Sequence, residues 1–238
     1  MTTYLLAGFI FFAAGFIQGL TGFGSALVAI PLLALIIDIK AAVPLCILNG
    51  LIITVYLAVQ LRRHLDRGKI LPLVLGSIPG IFVGVTLLKR VDSTVIRTGI
   101  GLLLIIYSLY NLVACPRPFN PARIWGYIAG FMTGAIGAAF SAGGPPTIVY
   151  TTLSDWKKED IKATLSGFFA VNGILIALAH ALTGVSTLTT AGYFVATAPF
   201  VLVGTVFGTR VTGKIDRKTY LRIIYGFLIV MGVMLIAG

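Results

Sequence analysis

A chain of 238 residues that is 58% hydrophobic and only 11% charged cannot clothe a soluble fold, because soluble domains are usually about one quarter charged. Its mean hydropathy of +1.03 makes lipid the solvent and excludes a water-soluble monomer. The net charge of +11 would suggest nucleic acid in a soluble protein, but here the basic residues stand in short loops between apolar runs, without interleaved exposed aromatics. That is the pattern of loops that orient a membrane protein and meet anionic head groups.

Apolar runs long enough to span a bilayer fall at about 4–37, 41–61, 70–88, 94–114, 123–153, 161–182, 189–208 and 219–237. The first opens with MTTYLLAGFIFFAAGF, which has no basic leader and no cleavage site, and reads as a membrane segment rather than a removable signal. Six runs have the length of one spanning helix. The first and fifth exceed 30 residues, and a helix that long would reach ~45–50 Å across a ~30 Å hydrocarbon core. Glycines interrupt both runs in the middle, so each is either one tilted helix or a folded-back pair.

Loop charge separates these alternatives. Let each long run return to its own side, with RRHLDRGK (62–69) in the cytoplasm. The inside then holds fourteen basic residues, namely Arg62, Arg63, Arg67, Lys69, Arg117, Arg123, Lys157, Lys158, Lys162, Arg210, Lys214, Arg217, Lys218 and Arg222. The outside holds four, Lys40, Lys89, Arg90 and Arg97. Single crossings give at best twelve against six. The positive-inside rule therefore favours hairpins. Each half then makes an odd number of passes, so the halves face opposite ways and both termini lie outside. The expected fold is an all-α polytopic membrane protein of two inverted repeats, each a broken helical hairpin plus three transmembrane helices. The repeats are 1–114 and 123–238, joined by a cytoplasmic linker at 115–122, within one transmembrane domain.

The halves also align in sequence. GFIQGLTGFGSALVAIP (15–31) matches GFMTGAIGAAFSAGGPP (130–146), placing Gly15, Gly19, Gly22 and Pro31 on Gly130, Gly134, Gly137 and Pro146. IKA at 39–41 matches IKA at 161–163, Asn49-Gly50 matches Asn172-Gly173, and Pro79 and Gly84 match Pro199 and Gly204. Basic turns follow in both halves. Matches in one order argue for duplication, and inverted repeats with broken helices are a recurrent plan for secondary transporters. Non-helical backbone at membrane depth is tolerated only where protein buries it or it lines a cavity, so two such breaks point to one shared site.

These motifs resemble the TauE/SafE family of sulfite exporters, small bacterial permeases. The resemblance rests on GFIQGLTGFG (15–24) with Pro31, on GxxxGAIG (130–137) leading to SAGGPP (141–146), and on the paired Asn-Gly steps, and it covers essentially the whole chain. It implies a secondary transporter of the bacterial inner membrane that moves sulfite or an organosulfur anion, most readily by export, with no cofactor. An uptake permease or channel for another small organic or inorganic anion is the alternative. The implied partners are a small anion and the bilayer, without nucleic acid, and a homo-oligomer is compatible with this.

A new half-helix begins after each break, near Gly24-Ser25 and Gly143-Gly144. A helix start exposes unpaired N–H groups and about half a positive charge, so two converging starts can hold an oxyanion without a buried cation. The candidate substrate-binding residues are Gln18, Thr21, Gly22, Gly24, Ser25, Asn49, Thr133, Gly137, Ser141, Gly143, Gly144 and Asn172. Interhelical hydrogen bonding is the competing role for the polar ones, and close packing for the glycines. Pro145-Pro146 suits a helix start, whereas Pro31 suits a kink. Cys46 and Cys115 have no metal-ligand spacing. His64 belongs to a charged loop, and His180, near a helix end, is a minor candidate for a proton relay. All seven acids, Asp38, Asp66, Asp92, Asp155, Glu159, Asp160 and Asp216, map to loops or helix ends. No carboxylate pair or buried His–Ser arrangement supports an intramembrane enzyme, and duplicated broken helices exceed what a purely structural subunit needs.

Overall fold

The computed structural model describes residues 2–113, 120–211 and 217–237. The linker as far as residue 119, with Cys115 and Arg117, and the turn residues Lys214 and Asp216, lie outside the described residues. Among the described residues ten α-helices run in order: α1 Thr2–Thr21, α2 Ser25–Leu33, α3 Ile39–Gln60, α4 Arg67–Arg90, α5 Ser93–Val113, α6 Arg123–Phe140, α7 Gly144–Leu153, α8 Lys158–Leu182, α9 Leu188–Val211 and α10 Arg217–Ala237. Those residues include no strand, and α1, α3, α4, α5, α8 and α9 are long and apolar enough to cross a membrane. The all-α polytopic architecture expected from the apolar runs is the one observed.

Acids in the connections start several helices. Asp38 accepts the Lys40 amide ahead of α3, Asp66 that of Gly68 ahead of α4, and Asp92 that of Thr94 ahead of α5, each at 2.8 Å. These are helix caps. Hydrogen bonds from Thr94, backbone first and then side chain, hold the Asp92 carboxyl below the ordinary carboxylate range, and Lys40 adds to that.

Both long runs are broken helices. Gly22 and Gly24 take φ of 91° and 97° between α1 and α2, and Ser141 takes φ of 55° between α6 and α7, a left-handed backbone that glycine adopts at little cost. The sequence alignment pairs Gly22 with Gly137, but the structure does not. Gly137 stays helical and its carbonyl accepts the Ser141 amide at 2.8 Å, so α6 continues one turn beyond the aligned break. Pro31 and Pro146 are likewise unequal. Pro31 is buried inside α2, whereas Pro146 sits in the first turn of α7. With 9 and 10 residues, α2 and α7 extend only about 14–15 Å, half of a hydrocarbon core.

The long helices pack in pairs drawn from opposite halves, α1 along α9, α6 along α4 and α5 along α10, with α3 against α8. Glycines set the first two pairs. A Cβ at Gly15 or Gly19 would run into the backbone of Val201 or Thr205, and one at Gly204 or Gly208 into that of Phe12 or Phe16. Across the other pair, Gly76, Gly80 and Gly84 face the carbonyls of Tyr127, Phe131 and Ala135, while Gly130 and Gly134 face those of Leu73 and Ser77. Small residues four apart let helix backbones approach where lipid offers no hydrophobic drive for association. Gly15, Gly19, Gly130 and Gly134, read in sequence as part of the breaks, are therefore packing residues.

Candidate functional site

The starts of α2 and α7 open on one cavity of about 100 Å³, walled by the middle of α3 and α8. Gln18, Gly24, Ser25, Thr133, Gly137, Ser141, Gly143, Gly144 and Asn172 all line it, nine of the twelve residues singled out in the sequence. Among the described residues, no charged side chain lines it. A drug-sized ligand needs about 300–1,000 Å³, so this space suits an ion of a few heavy atoms.

Local hydrogen bonds hold the two breaks in shape. The Gln18 side-chain oxygen accepts the Ser25 amide at 3.2 Å, which ties the start of α2 back to α1. The hydroxyls of Thr133 and Thr147 meet at 2.5 Å. A Cβ on Gly143 would strike the Thr133 carbonyl and the backbone of Gly137. Residues on either side of the break thus touch, and α7 returns along α6.

The two helix starts are not equal as anion sites. In the first turn of α2, Gly24, Ser25, Ala26 and Leu27 each carry an N–H, although that of Ser25 is already given to Gln18. In α7 the corresponding positions are Gly143, Gly144, Pro145 and Pro146, and proline has no N–H to offer. The sequence suggested two converging starts, with Pro145-Pro146 at the second. The prolines that pre-set the α7 backbone remove half of its donors, so α2 supplies more of the electropositive wall.

Asn172 completes the lining from α8. It is 5% exposed, and its Oδ1 has no hydrogen-bond partner. Oxygen and nitrogen of such an amide are assigned by the bonds they make, so a half-turn of the group presents the NH₂ instead. A buried amide left unsatisfied costs about 1–3 kcal/mol, a cost that a ligand in the cavity would relieve.

Three of the twelve lie off this cavity. Thr21 spends its hydroxyl inside the break, 2.8 Å from the Ile17 carbonyl and 2.7 Å from that of Phe23. Gly22 faces a second cavity. Asn49, the sequence partner of Asn172, is wholly buried and gives its Nδ2 to Thr197 at 3.0 Å and to the Leu45 carbonyl at 3.1 Å. It ties α3 to α9. Asn49→Leu should therefore lower the melting temperature in detergent, since such bonds are worth about 0.6–2 kcal/mol in membranes, while leaving anion affinity unchanged. Thermal melts with and without the anion separate the two effects.

His180 makes one interhelical contact, and its Nδ1 is buried without a hydrogen-bond partner. It is fully buried, and its Nε2 lies 2.9 Å from the Ala138 carbonyl, one that the end of α6 leaves without its helical partner. His64 is exposed beside Asp160 at 3.9 Å. Every acid among the described residues sits in a connection or a first helical turn, and those residues contain no cluster of three or more metal-binding side chains.

Sequence reading missed the α3 wall formed by Cys46, Gly50 and Thr54. The signal was present as small residues at four-residue spacing, one face of a helix, but the larger polarity of Asn49 drew the choice one residue aside. A Cβ at Gly50 meets nothing within 4 Å. Gly50→Val should therefore fold normally yet narrow the cavity, seen as unchanged melting with reduced flux in proteoliposomes.

The profile described as "Sulfite exporter TauE/SafE" matches residues 7–235. The chain belongs to the TauE/SafE family. This TauE/SafE chain is 26% identical over 175 residues to the "Probable sulfite/organosulfonate exporter TauE" of Cupriavidus necator, an alignment spanning 71% of the chain and 68% of that relative. No solved structure matches. TauE/SafE membership makes the chain a multi-pass membrane transporter and not an enzyme.

Proposed function

We propose that the chain carries a small sulfur-containing oxyanion, sulfite or an organosulfonate, outward across the bacterial inner membrane as a secondary transporter. The anion rests between the starts of α2 and α7, beside Asn172, at the interface of two inverted repeats whose termini lie outside. The observation that carries this reading is the uncharged, ion-sized cavity onto which both broken-helix starts open. Helix starts offer partial positive charge without a full cation, which binds an anion yet lets it leave. The name of the Cupriavidus necator relative supports the choice of sulfur oxyanions.

Export needs no coupling ion. An anion leaving a cell that is negative inside gains ~2.3 kcal/mol per charge per 100 mV, and the acids among the described residues sit in connections or first helical turns, which leaves no carboxylate at mid-span to relay a proton. Purified protein in sulfite-loaded liposomes should release sulfite faster when a valinomycin–potassium gradient makes the lumen negative. Voltage-independent release would sink the uniport reading, and uphill uptake at zero potential would favour the permease alternative. A thermal-stabilisation screen of sulfite, thiosulfate, sulfonates and carboxylates identifies the anion.

A further inference from the structure

A second cavity, of about 230 Å³, continues the first toward the end of the bundle that carries residues 61–66. Along α3, Gly50 and Thr54 line the first and Leu57 and Gln60 the second, which Thr209 of α9 also lines. The sequence match that sets Asn49 on Asn172 and Gly84 on Gly204 sets Leu57 on His180, Gln60 on Thr183 and Thr209 on Lys89. At the opposite end of the bundle these counterparts are engaged. His180 and Ala138 are wholly buried, and the His180 Nε2 donates to the Ala138 carbonyl at 2.9 Å. The Lys89 ammonium donates to the Thr183 carbonyl at 2.8 Å, which ties α4 to the end of α8. Beside them Ile81, Val85, Ala138 and Ile176 form an apolar cluster with Ile47 and Val185 packed against it. Ile47 and Ile176 also line the first cavity, so this cluster walls the cavity on that side.

We infer that His180 latches a closed gate between the first cavity and the end of the bundle that carries residues 183–187. The inference rests on the transport reading above, since a carrier exposes its site to one side at a time. An apolar constriction excludes water and ions, and the His180–Ala138 bond holds α8 against the end of α6 across it. The latch is also easily reversed. Its Nε2 is satisfied by the Ala138 carbonyl, but its Nδ1 is buried with no hydrogen-bond partner, a cost borne by the closed form. Opening this end hydrates both nitrogens, so the imidazole does not trap the gate shut as a fully satisfied side chain would. Leu57, at the matched position, has no such bond to offer, and its end carries the recess. The competing role for His180 is packing alone, as one more interhelical hydrogen bond.

Thiol labelling from each end decides between these roles. The reporter is Gly50→Cys in the first cavity, where a Cβ meets nothing within 4 Å, in a chain that also carries Cys46→Ala and Cys115→Ser. In inside-out and right-side-out vesicles, a membrane-impermeant methanethiosulfonate should react faster from the end that carries residues 61–66. His180→Ala should raise the rate from the other end about tenfold, the scale of one lost interhelical hydrogen bond. His180→Gln keeps a donor for the Ala138 carbonyl and should restore the slow rate. Lys89→Gln, on an exposed side chain, removes the second tie without entering the core and should raise the same rate. A packing role would lower the melting temperature of His180→Ala and leave the ratio of labelling from the two ends unchanged. Equal labelling from both ends of the reporter chain, or an unchanged rate in either folded variant, overturns the gate. Labelling needs no sulfite, so absence of sulfite flux overturns the anion reading and leaves the gate standing.

Discussion

Asn172→Asp should abolish sulfite binding and flux at pH 8 while leaving the protein folded. The change is nearly isosteric and converts an unpartnered buried amide into a carboxylate facing the ion. Two like charges about 4 Å apart repel by about 4 kcal/mol at an effective dielectric near 20, close to a thousandfold in affinity. Asn172→Leu removes the amide without adding charge and should cost far less. KM from proteoliposome flux and stabilisation by sulfite in thermal melts both report the loss. Flux should recover as the pH falls and the new carboxyl is neutralised. An Asn172→Asp protein that binds sulfite normally at pH 8 would falsify the placement of the anion.

The largest effect on stability is expected at the α4–α6 seam. Gly80 lies against the Phe131 carbonyl and the Ala135 amide, so any side chain there must push the two helix backbones apart. Overpacking of this kind costs about 1–3 kcal/mol and sometimes more, and here no flexible side-chain tip can give way. Gly80→Val should reduce the yield of monodisperse protein in detergent and lower its melting temperature strongly. Gly226→Ala is the contrasting case. A Cβ there meets nothing within 4 Å, and alanine is the better helix former, so melting should stay level or rise slightly.

The spanning segments were legible because lipid imposes a simple rule of length and polarity, and each apolar run became a helix or a broken pair within a few residues. The breaks were legible as well, but not their register. A glycine that permits a left-handed turn and a glycine that lets two helices touch are the same letter, so Gly22 and Gly19 could not be told apart before the partner α9 was in place. Asn49 and Asn172 show the same limit. They are equivalent in sequence, yet Thr197 engages Asn49, while Ser77, at the position matching Thr197, gives its hydroxyl to the Val74 carbonyl. Asn172 is left facing the cavity. Pro145-Pro146 marked the second helix start in the sequence, but the imbalance in donors that they create shows only once both starts open on one cavity.

The pairing of α1 with α9 sets an order of events during biosynthesis. When α1 leaves the ribosome, the helix that covers its Gly15–Gly19 face is still to be made, since Val201 and Thr205 come nearly 190 residues later. Until then α1 has only lipid or the insertion machinery against its notched surface. The seam of α4 with α6 closes much sooner. Cells should therefore tolerate premature termination poorly: a nascent chain stopped before α9 would hold the α4–α6 and α3–α8 seams finished and leave the faces of α1 and α5 open, and quality-control proteases would find the open ones first.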